Sequence, residues 1–207
     1  SQIDAVFTAL KVGAVKIGML SQVATIEAVA RGLDRHGARN IVLDPVMVAA
    51  SGDRLLDAGA VDALRHLLIP RALVITPNLP EAAALLRATE AADEDEMAAQ
   101  AHALLKLGAR NVLIKGGHAE GAESVDLLVG EDAQERFAAT RIATRNTHGT
   151  GCTLSSAIAA FLAQGHELGA AIGAAKTYLT GALSTAHKLS AGRGPGPVNH
   201  FHEFWRR

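Results

Sequence analysis

The stretch Arg141-Ile-Ala-Thr-Arg-Asn-Thr-His-Gly-Thr-Gly-Cys-Thr-Leu-Ser-Ser-Ala-Ile-Ala-Ala-Phe-Leu-Ala-Gln164 changes character at its middle. Its first half is polar and poor in helix formers. From Thr153 an Ala/Leu/Ile-rich run continues without a breaker to Gly165, which predicts a helix with one buried face. The join is Gly149-Thr150-Gly151-Cys152, where two glycines let the backbone turn and leave its amides unshielded. The first amides of a helix lack internal partners and carry the positive end of its dipole. A glycine-rich entry of this kind therefore makes a pocket for an anion. Cys152, the only cysteine in the chain, falls in the first turn, where the dipole favours a thiolate. Thr147, Thr150 and Thr153 add hydroxyls around the same point. A tight loop followed by a small buried cysteine is the plainer alternative, and a short glycine motif alone does not separate the two.

Composition bounds what can surround this stretch. With 207 residues the chain is long enough for one sizeable core, and a single domain over 1–207 is the expectation. Apolar residues at 49% exclude a disordered chain, while aromatics at 3% leave Ala, Leu, Val and Ile to build the core. Such a core suits helices layered on a parallel sheet. A net charge of −1 with no basic cluster argues against a nucleic-acid surface. One cysteine forms no internal disulfide and has no partner at metal-site spacing, which fits a reducing, cytoplasmic compartment. No apolar run reaches membrane length and no signal-peptide pattern opens the chain, so no membrane partner is expected.

In chain order, an amphipathic helix over 1–10 is followed by a short strand over 14–19. A helix from about Val23 to His36 comes next, with Ser21 as candidate cap and Gly37 as stop. Strands are expected at 40–44, 72–75 and 111–115, and helices at about 57–68 (ended by Pro70), from near Glu81, and at 93–107. A loop carrying Ser51-Gly-Asp53 lies between the second strand and its helix, and Lys115 opens into Gly116-Gly-His118. The acidic run Glu94-Asp95-Glu96 reads as a solvated face. The segments 124–129 and 134–139, separated by Gly130-Glu-Asp-Ala133, read as an antiparallel hairpin. A long Ala-rich helix over 168–189, the loop Gly192-Arg-Gly-Pro-Gly-Pro197 and a tail with Phe201, Phe204 and Trp205 complete the pattern.

Strands alternating with helices imply crossover units and a mostly parallel sheet, with ligands bound outside the carboxyl ends of the strands. Met19, Asp44, Asn78, Lys115 and the Gly149 loop all fall at or just past expected strand ends. Asp44 ends its strand beside Pro45, and Asn78 and Glu81 present an amide and a carboxylate where a helix begins. Oxygen ligands of this kind suit Mg²⁺, which keeps waters and binds through one or two carboxylates plus substrate phosphates. Asn78 as a helix cap and Glu81 as a first-turn charge are the simpler alternatives. Lys115 closes a buried strand where its ammonium could reach a phosphate, or it snorkels to the surface. His118 and His148 flank glycine loops without a metal-like partner. An anion hole, an acidic pair, a lysine and one ionisable group at the hole together suit phosphoryl transfer, with Cys152 taking the proton of the attacking hydroxyl.

Several of these segments resemble the hydroxymethylpyrimidine/phosphomethylpyrimidine kinases of thiamin biosynthesis. They are Lys16-Ile-Gly-Met-Leu20, Val42-Leu-Asp-Pro-Val-Met47, Ser51-Gly-Asp53, Ile75-Thr-Pro-Asn-Leu-Pro-Glu-Ala82, Lys115-Gly-Gly-His118, Asn146-Thr-His-Gly-Thr-Gly-Cys-Thr153 and Gly194-Pro-Gly-Pro-Val-Asn-His-Phe-His202. The resemblance runs in order along essentially the whole chain. It implies an α/β ribokinase-like fold: a mostly parallel sheet flanked by helices on both faces, with a late antiparallel hairpin. It also implies ATP with Mg²⁺, and two successive phosphorylations of an aminopyrimidine, first on its hydroxymethyl group and then on the monophosphate. By motif, Cys152 matches the base, and Gly149, Thr150 and Gly151 the anion hole. Asn78 and Glu81 match the magnesium-water motif. Asp44, Asn78, Lys115, Thr147 and Lys176 match nucleotide-side positions, and Met19 a residue lining the pyrimidine pocket. Relatives suggest a homodimer.

In that family a strand and a Gly-rich loop precede the helix at which this chain opens, so the resemblance predicts a fragment, or else a shortened natural form, in either case with an exposed sheet edge. A pyridoxal kinase-like activity is the nearest alternative, because related enzymes phosphorylate a hydroxymethyl on a similar ring. A non-catalytic nucleotide-binding module and a cysteine hydrolase built on Cys152 are the readings from other classes.

Overall fold

The computed structural model describes residues 2–47, 59–117, 121–131, 133–189, 194 and 196–204. Ser51-Gly-Asp53, His118, Gly192-Arg193 and Trp205, singled out above, lie outside the described residues. The elements are α1 (Gln2–Ala9), β1 (Val15–Ile17), α2 (Val23–Arg35), β2 (Ile41–Leu43), α3 (Ala60–Ala63), β3 (Val74–Ile75), α4 (Leu79–Leu86), α5 (Glu94–Leu105), β4 (Asn111–Lys115), β5 (Glu123–Gly130), β6 (Gln134–Thr140), α6 (Thr150–Ala163) and α7 (Leu168–Ser184). The six strands form one sheet in sequence order. β1 to β4 run parallel, as expected of strands joined by helices, and β5 and β6 are the antiparallel hairpin added to β4.

Strand side chains alternate between two faces, so each strand feeds two cores. Leu43, Ile75, Val112, Ile114, Leu127 and Val129 pack with α2, α4 and α5. Val42, Val74, Leu113 and Leu128 pack with α6 and α7. Residue parity then decides where the charged strand ends go. Asp44 has the parity of Val42, Thr76 that of Val74, Lys115 that of Leu113 and Asp126 that of Leu128. All four therefore face α6 and α7 rather than the opposite layer.

Several boundaries differ from the sequence expectation. Gln22, not Ser21, is the N-cap of α2, and it makes no side-chain cap bond. Gly37 does follow that helix in the left-handed region, at φ 57°, as a C-terminal stop requires. Pro70 does not end its helix. α3 widens into a π turn over Leu64–Leu68, and Pro70 then sits near the start of a 3₁₀ turn over Ile69–Arg71, where a missing N–H costs nothing. The last long helix stops at Ser184 and tightens into a 3₁₀ turn over Ala186–Lys188. The acidic run is not merely solvated. Asp93 accepts the Glu96 N–H, Glu96 accepts the Ala92 N–H, and Glu94 pairs with Arg136 at 2.8 Å.

Candidate active site

Gly149 precedes α6 with a φ of 79°, and a Cβ there would meet nothing within 4 Å. The glycine is required by backbone angle, not by space. This turn starts α6 at Thr150, three residues earlier than the apolar run suggested, and makes Cys152 its third residue. The Thr150 N–H makes only a long 3.4 Å bond to the Thr147 carbonyl, and the Thr153 N–H closes the first helical turn on the Gly149 carbonyl at 2.8 Å. Between them, the amides of Gly151 and Cys152 meet no backbone acceptor among the described residues. They are the orphan donors that a helix offers to an anion. Cys152 is exposed beside them, which removes the buried-cysteine alternative.

Lys115 reaches this helix end from the last position of β4. A Cβ added to Gly151 would lie 3.2 Å from the Lys115 Nζ, so the absence of a side chain there makes room for the ammonium. Lys115 does not snorkel: it is nearly buried and donates to Asp44 Oδ1 at 2.8 Å. Asp44 is fully buried and also accepts Thr76 Oγ1 (3.1 Å) on Oδ1 and Ser155 Oγ (3.1 Å) on Oδ2. One carboxylate thus joins β2, β4, α6 and the residue after β3.

Asn78 and Glu81 form a capping box on α4. The Asn78 Oδ1 accepts the Glu81 N–H, and the Glu81 Oε2 accepts the Asn78 N–H, both at 2.8 Å. The capping alternative is therefore correct, but it does not exhaust Glu81. Its carboxylate is buried and lies 3.8 Å from the Lys115 Nζ. Desolvation pushes the Glu81 carboxyl above its usual range, against the pull of Lys115 and of the Asn78 N–H. Asp44 and Glu81 thus present two carboxylates to one ammonium. No three His, Cys, Asp or Glu groups cluster as a protein-only metal cage among the described residues. This donor set fits a hard cation such as Mg²⁺, held through one or two carboxylates, waters and phosphates.

Lys176 comes from the middle of α7 and is buried against the sheet, with its Nζ 2.7 Å from Asp126 Oδ2. Asp126 stands opposite Lys115 in the β4–β5 register, and its Oδ1 accepts the Gly116 N–H at 3.1 Å. Burial pushes the Asp126 carboxyl up, opposed chiefly by Lys176. Asp126, Ser155 and Thr76 were not anticipated from sequence. Each is a polar residue within an otherwise apolar or alternating run, and the partners of Asp126 and Ser155 lie 50 and 111 positions away.

An open pocket of about 560 Å³ adjoins Cys152, lined by Thr153, Ala157, Phe161, Tyr178, Pro197 and His200 among others. The tail shapes it: the His148 N–H donates to the Gly196 carbonyl at 3.2 Å and His148 pairs with Pro197 as a parallel bridge. Thr147 is exposed and enters the loop's bonding through its carbonyl. Met19 is 52% exposed past the end of β1 and does not line this pocket. The site residues brought together are therefore Asp44, Asn78, Glu81, Lys115 and the start of α6, with Lys176 joined to them through Asp126.

Parallel strands that deliver buried charge beneath a glycine-started helix are the arrangement expected of the ribokinase-like fold, and solved kinases share it. The solved pyridoxal kinase of Bacillus subtilis, an ADP complex, superposes with a TM-score of 0.91 at 36% identity, covering 99% of this chain and 76% of that one. A phosphomethylpyrimidine kinase structure from Clostridium difficile gives 0.75 at 39% identity, over 86% of this chain and 72% of that one. The chain belongs to the phosphomethylpyrimidine kinase family, which it matches over residues 1–199. A hydroxymethylpyrimidine/phosphomethylpyrimidine kinase of Rhizobium meliloti is 56% identical over 206 residues, covering 100% of this chain and 77% of that protein.

Proposed function

We propose that this chain phosphorylates 4-amino-5-hydroxymethyl-2-methylpyrimidine and then its monophosphate, using ATP and Mg²⁺, in thiamin biosynthesis. The observation that carries the reading is the start of α6, where two amides without a backbone acceptor among the described residues, the Lys115 ammonium and an exposed thiol meet at one point. The amides of Gly151 and Cys152 hold the transferring phosphoryl oxygens, each such donor contributing roughly 3 kcal/mol in the transition state. Lys115, fixed by Asp44, adds positive charge on the same side. Cys152 takes the proton of the substrate hydroxyl as its oxygen bonds to phosphorus and the bond to the ADP oxygen breaks. When bound, Mg²⁺ neutralises phosphate charge, and Glu81, with Asn78 through water, would hold it. Thr150 and Thr147 border the phosphates from the loop, and Met19 serves the pyrimidine.

Cytoplasmic location and a homodimer belong to the same reading. No helix among the described residues is long and apolar enough to cross a membrane. Light scattering is expected to return twice the chain's 21.5 kDa.

The test is turnover of the pyrimidine alcohol under Mg²⁺-ATP, followed by ADP release and by product mass. Cys152→Ala is expected to lower kcat by about 10² to 10⁴ without lowering the melting temperature, because the side chain is exposed. ADP-Mg²⁺ binding without transfer to any ring substrate would favour a non-catalytic module. A second reading, phosphorylation of pyridoxal, is favoured by the 0.91 superposition on the Bacillus subtilis pyridoxal kinase. A higher kcat/KM for pyridoxal than for the pyrimidine would put that reading first.

A further inference from the structure

Two ammonium groups lie on the α6–α7 side of the sheet, the nearly buried Lys115 and the buried Lys176, and they are held differently. Lys115 faces two carboxylates, Asp44 at 2.8 Å and Glu81 at 3.8 Å. Among the described residues Lys176 has a single carboxylate partner, Asp126 at 2.7 Å, and a long 3.5 Å contact to Ser124 Oγ. Asp126 also touches the chain next to the first lysine, because its other oxygen accepts the Gly116 N–H. That turn has no slack: a Cβ on Gly116 would collide with the Val125 carbonyl, one residue before Asp126. Asp126 and Lys115 are direct cross-strand partners, so their side chains leave the sheet on the same face.

We propose that Asp126 is a positioning residue of the phosphate site, fixing the separation of its two ammonium groups, Lys115 and Lys176. One carboxylate grips the backbone that follows Lys115 and the Nζ of Lys176, so the two cations are set by a single group inside the sheet. Without Asp126, Lys176 would be free to turn away from the phosphates. Asp126 itself is 3% exposed and accepts from Gly116 N–H and Lys176, which leaves it little surface to offer a nucleotide. It acts through Lys176 and the Gly116 turn. The inference rests on the kinase reading, since it assigns both lysines to phosphate.

Titration calorimetry with ADP-Mg²⁺ on the whole chain tests it, with melting temperature recorded for each variant. Asp126→Asn keeps an oxygen for the Gly116 N–H and removes only the charge. It is expected to weaken ADP-Mg²⁺ binding roughly tenfold or more, as is Lys176→Met. The double variant, which buries neither charge, is expected to fold and to bind at least as tightly as Lys176→Met alone. That comparison stands even if Asp126→Asn alone does not fold. Two results overturn the inference while leaving the kinase reading intact. One is Asp126→Asn binding like the wild type when Lys176→Met is impaired. The other is a double variant weaker than Lys176→Met, which would mean that the two residues act independently. A wild-type chain that does not bind ADP-Mg²⁺ overturns both.

Discussion

Gly151→Ala should move stability and activity in opposite directions. Gly151 is the second residue of α6 and does not have a positive φ, so alanine fits its backbone without strain. Replacing a helical glycine with alanine stabilises by up to about 1 kcal/mol, largely through the unfolded chain. The new methyl would lie 3.2 Å from Lys115 Nζ and 3.8 Å from its Cε, a few tenths of an ångström too close to the ammonium. A flexible lysine end can yield that distance cheaply, so the fold survives. The movement takes Nζ off its 2.8 Å contact with Asp44 and places a methyl beside the two open amides. Losing one preorganised donor costs about 3 kcal/mol in the transition state, or roughly 100-fold in rate. Thermal unfolding and a coupled ADP-release assay, run on one preparation, give both readouts. The expected pair is an unchanged or raised melting temperature with kcat/KM down about 100-fold. Activity within threefold of wild type would refute the idea that the space at Gly151 serves the ammonium and the anion.

Glu81→Gln tests the burial of that carboxyl. Its folded pKa is raised by desolvation, so between the ordinary carboxylate range and the raised value the folded state binds more protons than the unfolded one. Stability from this group is thus full at low pH and is lost as pH rises through the folded value. Glutamine keeps the capping acceptor and removes this loss. The variant should therefore melt higher than wild type at neutral pH, with the gap closing toward pH 4, while the Mg²⁺ concentration needed for half-maximal turnover rises. Asn78→Ala removes an N-cap and should cost about 1 kcal/mol in urea unfolding, whereas Asn78→Ser should cost less than half of that. Equal losses for both Asn78 variants would show that the side chain does more than cap.

The parts of this fold readable in advance were those set by local pattern. β4 spans Asn111–Lys115 as its run of apolar residues implied, and the β5–β6 hairpin follows its turn signal at 130–133. Strand-end placement brought Asp44, Asn78, Glu81 and Lys115 to one region, because parallel strands put their carboxyl ends on one edge. What stayed hidden depended on pairing across long stretches of chain. In Ser124-Val-Asp-Leu127 the aspartate looks like the solvent-facing half of an alternating strand, and only the packing of α7 over β5 and β6 makes it a buried partner for Lys176. Ser155 likewise looks like a neutral helix residue until Asp44 comes within 3.1 Å. The start of α6 was misplaced for a different reason. A left-handed Gly149 can turn the chain directly into a helix whose first turn is Thr-Gly-Cys, which propensity alone disfavours.

The tail binding the loop ahead of α6 also has a consequence for the order of assembly. Asn199 N–H bonds to the Ala182 carbonyl, Asn146 Nδ2 to the Ala186 carbonyl, and His148 to Gly196. The loop that presents the phosphate amides is thus braced by a segment made roughly fifty residues later. During translation the sheet and most helices can settle first, but this brace cannot close until residues 196–199 have cleared the ribosome. A nascent chain arrested before that point would look nearly native by its core and still lack a shaped catalytic loop.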